Sequence, residues 1–72
     1  MTREELHDVH KMIALARAPQ HVDLWRLLWV QRNLDRIRDL TVTGPLSLGR
    51  HRAVSRLRHY LRKHPLPSDL DA

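Results

Sequence analysis

The chain contains no cysteine and no phenylalanine, and it has only two glycines. Without cysteine, neither a disulfide nor a thiolate metal site can reinforce the fold, and the lack suits a reducing compartment. Gly44 and Gly49 do not stand in a strand–loop–helix context, so there is no glycine-rich phosphate loop. No run approaches the roughly 18 apolar residues of a membrane span. The opening residues, MTREELHD, are polar and acidic and lack the basic-then-apolar order of a secretion signal. The expectation is a soluble protein of the cytoplasm. Length is scarce too. Seventy-two residues make at most one domain, and a chain of this size buries only about 60% of its unfolded-state surface. A single core so small rarely supplies more than ~3–5 kcal/mol. Stability is left to well-formed helices, self-association or a partner.

Negative charge is the other scarcity, and it is unevenly spread. Thirteen Lys and Arg face eight Asp and Glu, with six His beside them, for a net charge of +5. Residues 1–40 hold seven cations and six acids, whereas residues 41–72 hold six cations and two acids. The stretch GRHRAVSRLRHYLRKH, residues 49–64, has six Arg or Lys and no acid at all. Eleven of the thirteen cations are Arg. Codon usage in a GC-rich genome accounts for such a bias. So does the forked guanidinium, which grips phosphate and carboxylate better than an ammonium does.

Three helices follow from caps and periodicity. Thr2-Arg3-Glu4-Glu5 reads as a capping box, and Leu6, Val9, Ile13 and Ala16 follow at helical spacing with Met12 beside them. Pro19 ends this helix or begins the next. The second helix is expected over about Gln20 to Leu40. Its later half is amphipathic, with Val30, Leu34 and Ile37 on one face and Arg32, Asp35, Arg36 and Asp39 on the other. Its earlier half, VDLWRLLWV, is apolar nearly all round, and Leu24, Trp25 and Leu28 project away from the core side. Something must cover such a surface: the other helices, a second subunit or a partner. Thr41 to Thr43 have a weak tendency to extend, Gly44-Pro45 breaks the chain, and Ser47 is the expected cap of a third helix running to about Lys63. The segment PLPSDLDA, residues 65–72, reads as a flexible acidic tail on a single helical domain of residues 1–64. The expected fold is all-α: a small three-helix bundle made of a helical hairpin plus a basic third helix, with a dimer as the alternative to a monomer.

At 100° per residue the third helix sorts into two faces. Ala53, Val54, Leu57, Tyr60, Leu61 and His64 fall on one side, and Arg50 lies toward it. His51, Arg52, Arg56, Arg58, His59, Arg62 and Lys63 fall on the other. Like charges at i and i+4, as in Arg52/Arg56 and Arg58/Arg62, cost a helix a few tenths of a kcal/mol each, about 0.2–0.5. A helix that bears this cost without acids of its own suits an anionic partner, or acids from a neighbouring helix. Arg and Lys on one face displace counterions from a nucleic-acid backbone, and Ser55 with the imidazoles adds hydrogen-bonding capacity. His51 and His59 would gain charge in mild acid and tighten anion binding.

LGRHRAVSRLRHYL, Leu48 to Leu61, resembles the recognition-helix portion of bacterial helix-turn-helix regulators, through Leu48-Gly49, Val54-Ser55-Arg56 and Leu57. The resemblance implies that Arg50, His51, Arg52 and Ser55 enter the major groove. It spans 14 of the 72 residues, and Gly44-Pro45 stands where such regulators place the preceding helix.

The functional expectation is therefore a small nucleic-acid-binding protein, most naturally for duplex DNA, acting as a regulator or accessory factor. Its binding set is Arg50, His51, Arg52, Ser55, Arg56, Arg58, His59, Arg62 and Lys63. The alternative is a protein–protein interaction module, an inhibitor, adaptor or dimeric component, using Leu24, Trp25 and Leu28 together with the Arg-rich helix. His7 and His10, with His21, are read as solvent-exposed imidazoles in preference to a zinc site, because no His-Glu-x-x-His pattern accompanies them. No cofactor and no catalytic activity are expected, since three short helices leave little room for a pocket. A membrane-surface role for the third helix is disfavoured because its apolar face lacks Trp and Phe.

Overall fold

A computed structural model describes residues 1–42 and 47–71. Three helices pack pairwise against one another: α1 (Arg3–Ala16), α2 (Leu24–Leu40) and α3 (Ser47–Lys63). No strand occurs among the described residues, and none of the helices there is long and apolar enough to cross a membrane. The all-α three-helix bundle expected from the sequence is the fold.

The start of α1 is the anticipated capping box. Glu5 N–H donates to Thr2 Oγ1 at 3.1 Å, and Thr2 N–H donates to Glu5 Oε1 at 2.8 Å. Two otherwise orphaned amides are thereby satisfied. The buried stripe of α1 is Val9, Met12 and Ala16. It is rotated from the expected one: Met12 sits at its centre, Ile13 is half-buried, and Leu6 lies at the exposed edge. An unbranched Met fills the irregular space among three helices more readily than β-branched Ile.

The second helix begins later than Gln20. Pro19 is buried and opens a short 3-10 turn, Pro19–His21, and Asp23 then caps α2 by accepting from Arg26 N–H at 2.8 Å. Pro19 thus sets its φ for the turn, and Asp23, one of the preferred capping residues, sets the start of the helix. At the other end Thr41 does not extend. It is fully buried, adopts αR geometry, and donates its hydroxyl to the Arg38 carbonyl at 2.7 Å, so it closes α2. The Gly44-Pro45 break lies outside the described residues, and Ser47, expected as the cap, is the first residue of α3.

The core draws on all three helices: Val9, Met12 and Ala16, then Leu27, Val30 and Ile37, then Val54, Leu57 and Leu61. The apolar face read for α3 is the face that packs. Each pair of helices is also tied by a polar contact. Arg36 of α2 donates to Asp8 of α1 at 2.9 Å, Arg58 of α3 to Asp35 of α2, and Arg56 of α3 to the Ala16 carbonyl of α1 at 3.4 Å. Lys11 adds a cation–π contact, 4.3 Å from the centroid of Trp29. After α3, Leu66 is half-buried against the core and Ser68–Asp71 form a 3-10 turn, so folded structure extends into the segment expected to be a loose tail.

Candidate nucleic-acid interface

Helix α3 positions the candidate side chains through its own packing. Because Val54, Leu57 and Leu61 point into the core, the opposite stripe faces solvent. His51, Arg52, Ser55, His59, Arg62 and Lys63 are exposed along it. From Arg52 to Lys63 this stripe runs for about 16 Å at helical rise. Arg52, Arg62 and Lys63 have no carboxylate partner among the described residues.

The remaining three cations of the set are placed differently. Arg50 is half-buried, on the side of the helix that turns toward the core. Its half-burial sets it apart from the exposed residues of the stripe. Arg58 is drawn sideways to Asp35, with its side chain only 27% exposed. It serves the seam between α2 and α3. Arg56 is exposed yet donates one N–H to the Ala16 carbonyl, at the end of α1. A guanidinium has five N–H donors, so this single bond leaves most of its capacity for an anion. The nine-residue set therefore divides into an outward stripe, two flanking arginines that help hold α3 in the bundle, and the half-buried Arg50.

The chain has two Trp, one Tyr and no Phe, and none of these joins the stripe. Tyr60 is half-buried and packs against His64 with ring centroids 4.6 Å apart. Trp29 is half-buried beneath Lys11, and Trp25 belongs to α2.

The second patch anticipated from the sequence survives in part. Trp25 is 72% exposed and Leu24 50% exposed. Leu28 is only 4% exposed, so it is no part of an open surface. The helical wheel places it on the outer side of α2, but a wheel carries no information about covering by distant chain. Next to Trp25, Asp23 and Arg26 form an exposed ion pair at 2.9 Å. No three His, Cys, Asp or Glu side chains converge to hold a metal ion among the described residues, and the trio His7, His10 and His21 is accordingly not assembled.

Two residues outside the expected set lie beside it in the fold. Asp35, on the solvated face of α2, pairs with Arg58, and Arg17 is exposed just beyond α1. Between Asp8 and Asp23 the chain has no acid beside Arg17. Comparison with known proteins adds nothing to these placements, because no protein family, curated protein or solved structure matches the chain.

Proposed function

We propose that this chain binds double-helical nucleic acid, most naturally DNA, through the outward stripe of α3 and acts as a regulator or accessory factor. The carrying observation is that Arg52, Arg62 and Lys63 stand exposed on one helix face without a carboxylate partner among the described residues. Cations so arranged gain most from a polyanion, because each phosphate neutralised releases condensed counterions. Duplex is favoured over single strand for a specific reason. Proteins that hold single strands rely on aromatic side chains on which bases stack, above all Trp, Tyr and Phe, and the stripe has none of these three.

With Arg52, Arg56, Arg62 and Lys63 each meeting a phosphate, log affinity falls against log salt with a slope of roughly −3.6. Fluorescence anisotropy of a labelled duplex, titrated at several salt concentrations, measures it. Absence of binding at ~50 mM salt, where such contacts are strong, ends this reading. A single strand that binds more tightly than the duplex of the same sequence removes the preference for duplex.

A second reading rests on Trp25 and Leu24. A large aromatic exposed beside an apolar neighbour and an ion pair is a natural anchor for a protein partner or a second copy. Sedimentation of the wild type and of Trp25→Ser tests self-association. A monomer in both cases confines this reading to a heterologous partner.

A further inference from the structure

We propose that the anion-binding surface crosses the seam between α1 and α3, with Arg17 and Arg56 forming a second phosphate contact beside the α3 stripe. This rests on the nucleic-acid reading above and extends it to a second helix. The hydrogen bond from Arg56 to the Ala16 carbonyl lays that guanidinium over the end of α1. Arg17 is the next residue, exposed, with its backbone N–H donating to the Ala14 carbonyl at 3.3 Å. The Arg56 guanidinium is thus anchored at the end of α1, the Arg17 backbone is fixed at the adjoining position, and Arg17 has no carboxylate partner among the described residues.

A helix C-terminus is by itself hostile to phosphate, since its unpaired carbonyls amount to roughly half a negative charge. The bond from Arg56 occupies one of those carbonyls and brings a full positive charge to it, and Arg17 adds another. The sign at this helix end is therefore reversed. No acid offsets it locally along the chain: none lies between Asp8 and Asp23, and none between Asp39 and Asp69. Asp23, the carboxylate that follows α1, is engaged by Arg26 through both its backbone and its side chain. His10, exposed seven residues before Arg17, lies on the same side of α1 and continues the line of donors.

A single stripe meets one line of phosphates. A stripe plus a flanking pair on the neighbouring helix presents width, and width matches a duplex, whose two backbones border each groove. In this arrangement α3 lies along the ligand and the end of α1 reaches a phosphate that α3 does not.

The test is Arg17→Gln against Arg3→Gln. Each removes one exposed cation, the first just past the C-terminal end of α1 at the seam and the second at the opposite end of that helix. Circular dichroism melts establish that both variants fold as the wild type does. Duplex binding is then measured by anisotropy across salt concentrations. The expected result is that Arg17→Gln flattens the salt slope by about 0.9 and weakens binding roughly tenfold at ~50 mM salt. Arg3→Gln should leave the slope unchanged. If both variants lose affinity equally, Arg17 acts only through net charge and the inference is overturned. If neither loses affinity while the wild type binds duplex, the surface stops at α3 and the inference fails alone. If the wild type does not bind, the nucleic-acid reading fails with it.

Discussion

Arg58 of α3 donates to the carboxylate of Asp35 on α2, and the two partners occupy different surroundings: the arginine side chain is 27% exposed and the aspartate side chain 86%. An exposed carboxylate contributes little to such a pair, at most about 1 kcal/mol, whereas the arginine also packs its aliphatic stem. Asp35→Asn should therefore leave the melting temperature nearly unchanged, and Arg58→Ala should lower it more. The same Asp35→Asn change releases a cation toward the ligand side of α3. Duplex affinity should rise and its salt slope steepen by up to about 0.9. Unchanged binding in a folded Asp35→Asn protein would mean that Arg58 lies outside the ligand's reach.

The core leaves a narrow margin. Leu57 is fully buried among residues of all three helices. Truncation of such a side chain costs about 2–5 kcal/mol, comparable to the whole of what a core this small supplies, ~3–5 kcal/mol. Leu57→Ala should lose its cooperative thermal transition at room temperature, as read by circular dichroism. A sharp melt close to that of the wild type would show that another source of stability, such as self-association, holds the fold.

Acid should loosen the start of α1. The backbone N–H of Thr2, and then its side chain, hold the Glu5 carboxyl below its ordinary value of 4.5. A carboxylate lowered in the folded state contributes stability that is present above its unfolded value and is lost as pH falls through the folded one. An NMR titration of Glu5 should give a midpoint below 4.5. In Thr2→Ala that midpoint should return only part of the way, because the backbone donor remains. A wild-type midpoint at the ordinary value would mean that the capping box does not persist in solution.

The two tryptophans should report different environments. Trp25 is 72% exposed, and Trp29 is half-buried with Lys11 over its ring. Soluble quenchers should reach Trp25 and largely spare Trp29. Trp25→Ser should change monomer stability by no more than about 0.5 kcal/mol, as surface substitutions do, while Trp29→Ala should cost clearly more. If quenching of Trp25 diminishes as protein concentration rises, the exposed ring is being covered by a second copy.

Much of the bundle was legible because its determinants are local. The Thr2–Glu5 box lies within four residues, and the Val54, Leu57, Leu61 stripe is set by helical period alone. The start of α2 was misplaced because Pro19 is compatible with the first turn of either an α-helix or a 3-10 turn; Asp23 decided between them. The covering of Leu28 and the pairing of Asp35 with Arg58 are not legible in the sequence for a common reason. What covers a side chain, or which carboxylate it meets, depends on how helices distant in sequence are set together. The candidate site was legible as a face, but which of its arginines hold the bundle together was not.

Six of the thirteen Lys and Arg residues lie on α3, which has no acid, while the acids before it are confined to the first half of α1, the cap of α2 and α2 itself. A body with its charge so divided carries a permanent electric moment and experiences a torque in the field of a polyanion. It is turned basic side forward before contact, over distances set by the ionic atmosphere, about 10 Å at 0.1 M salt. Added salt should therefore slow the encounter itself as well as weaken the finished complex.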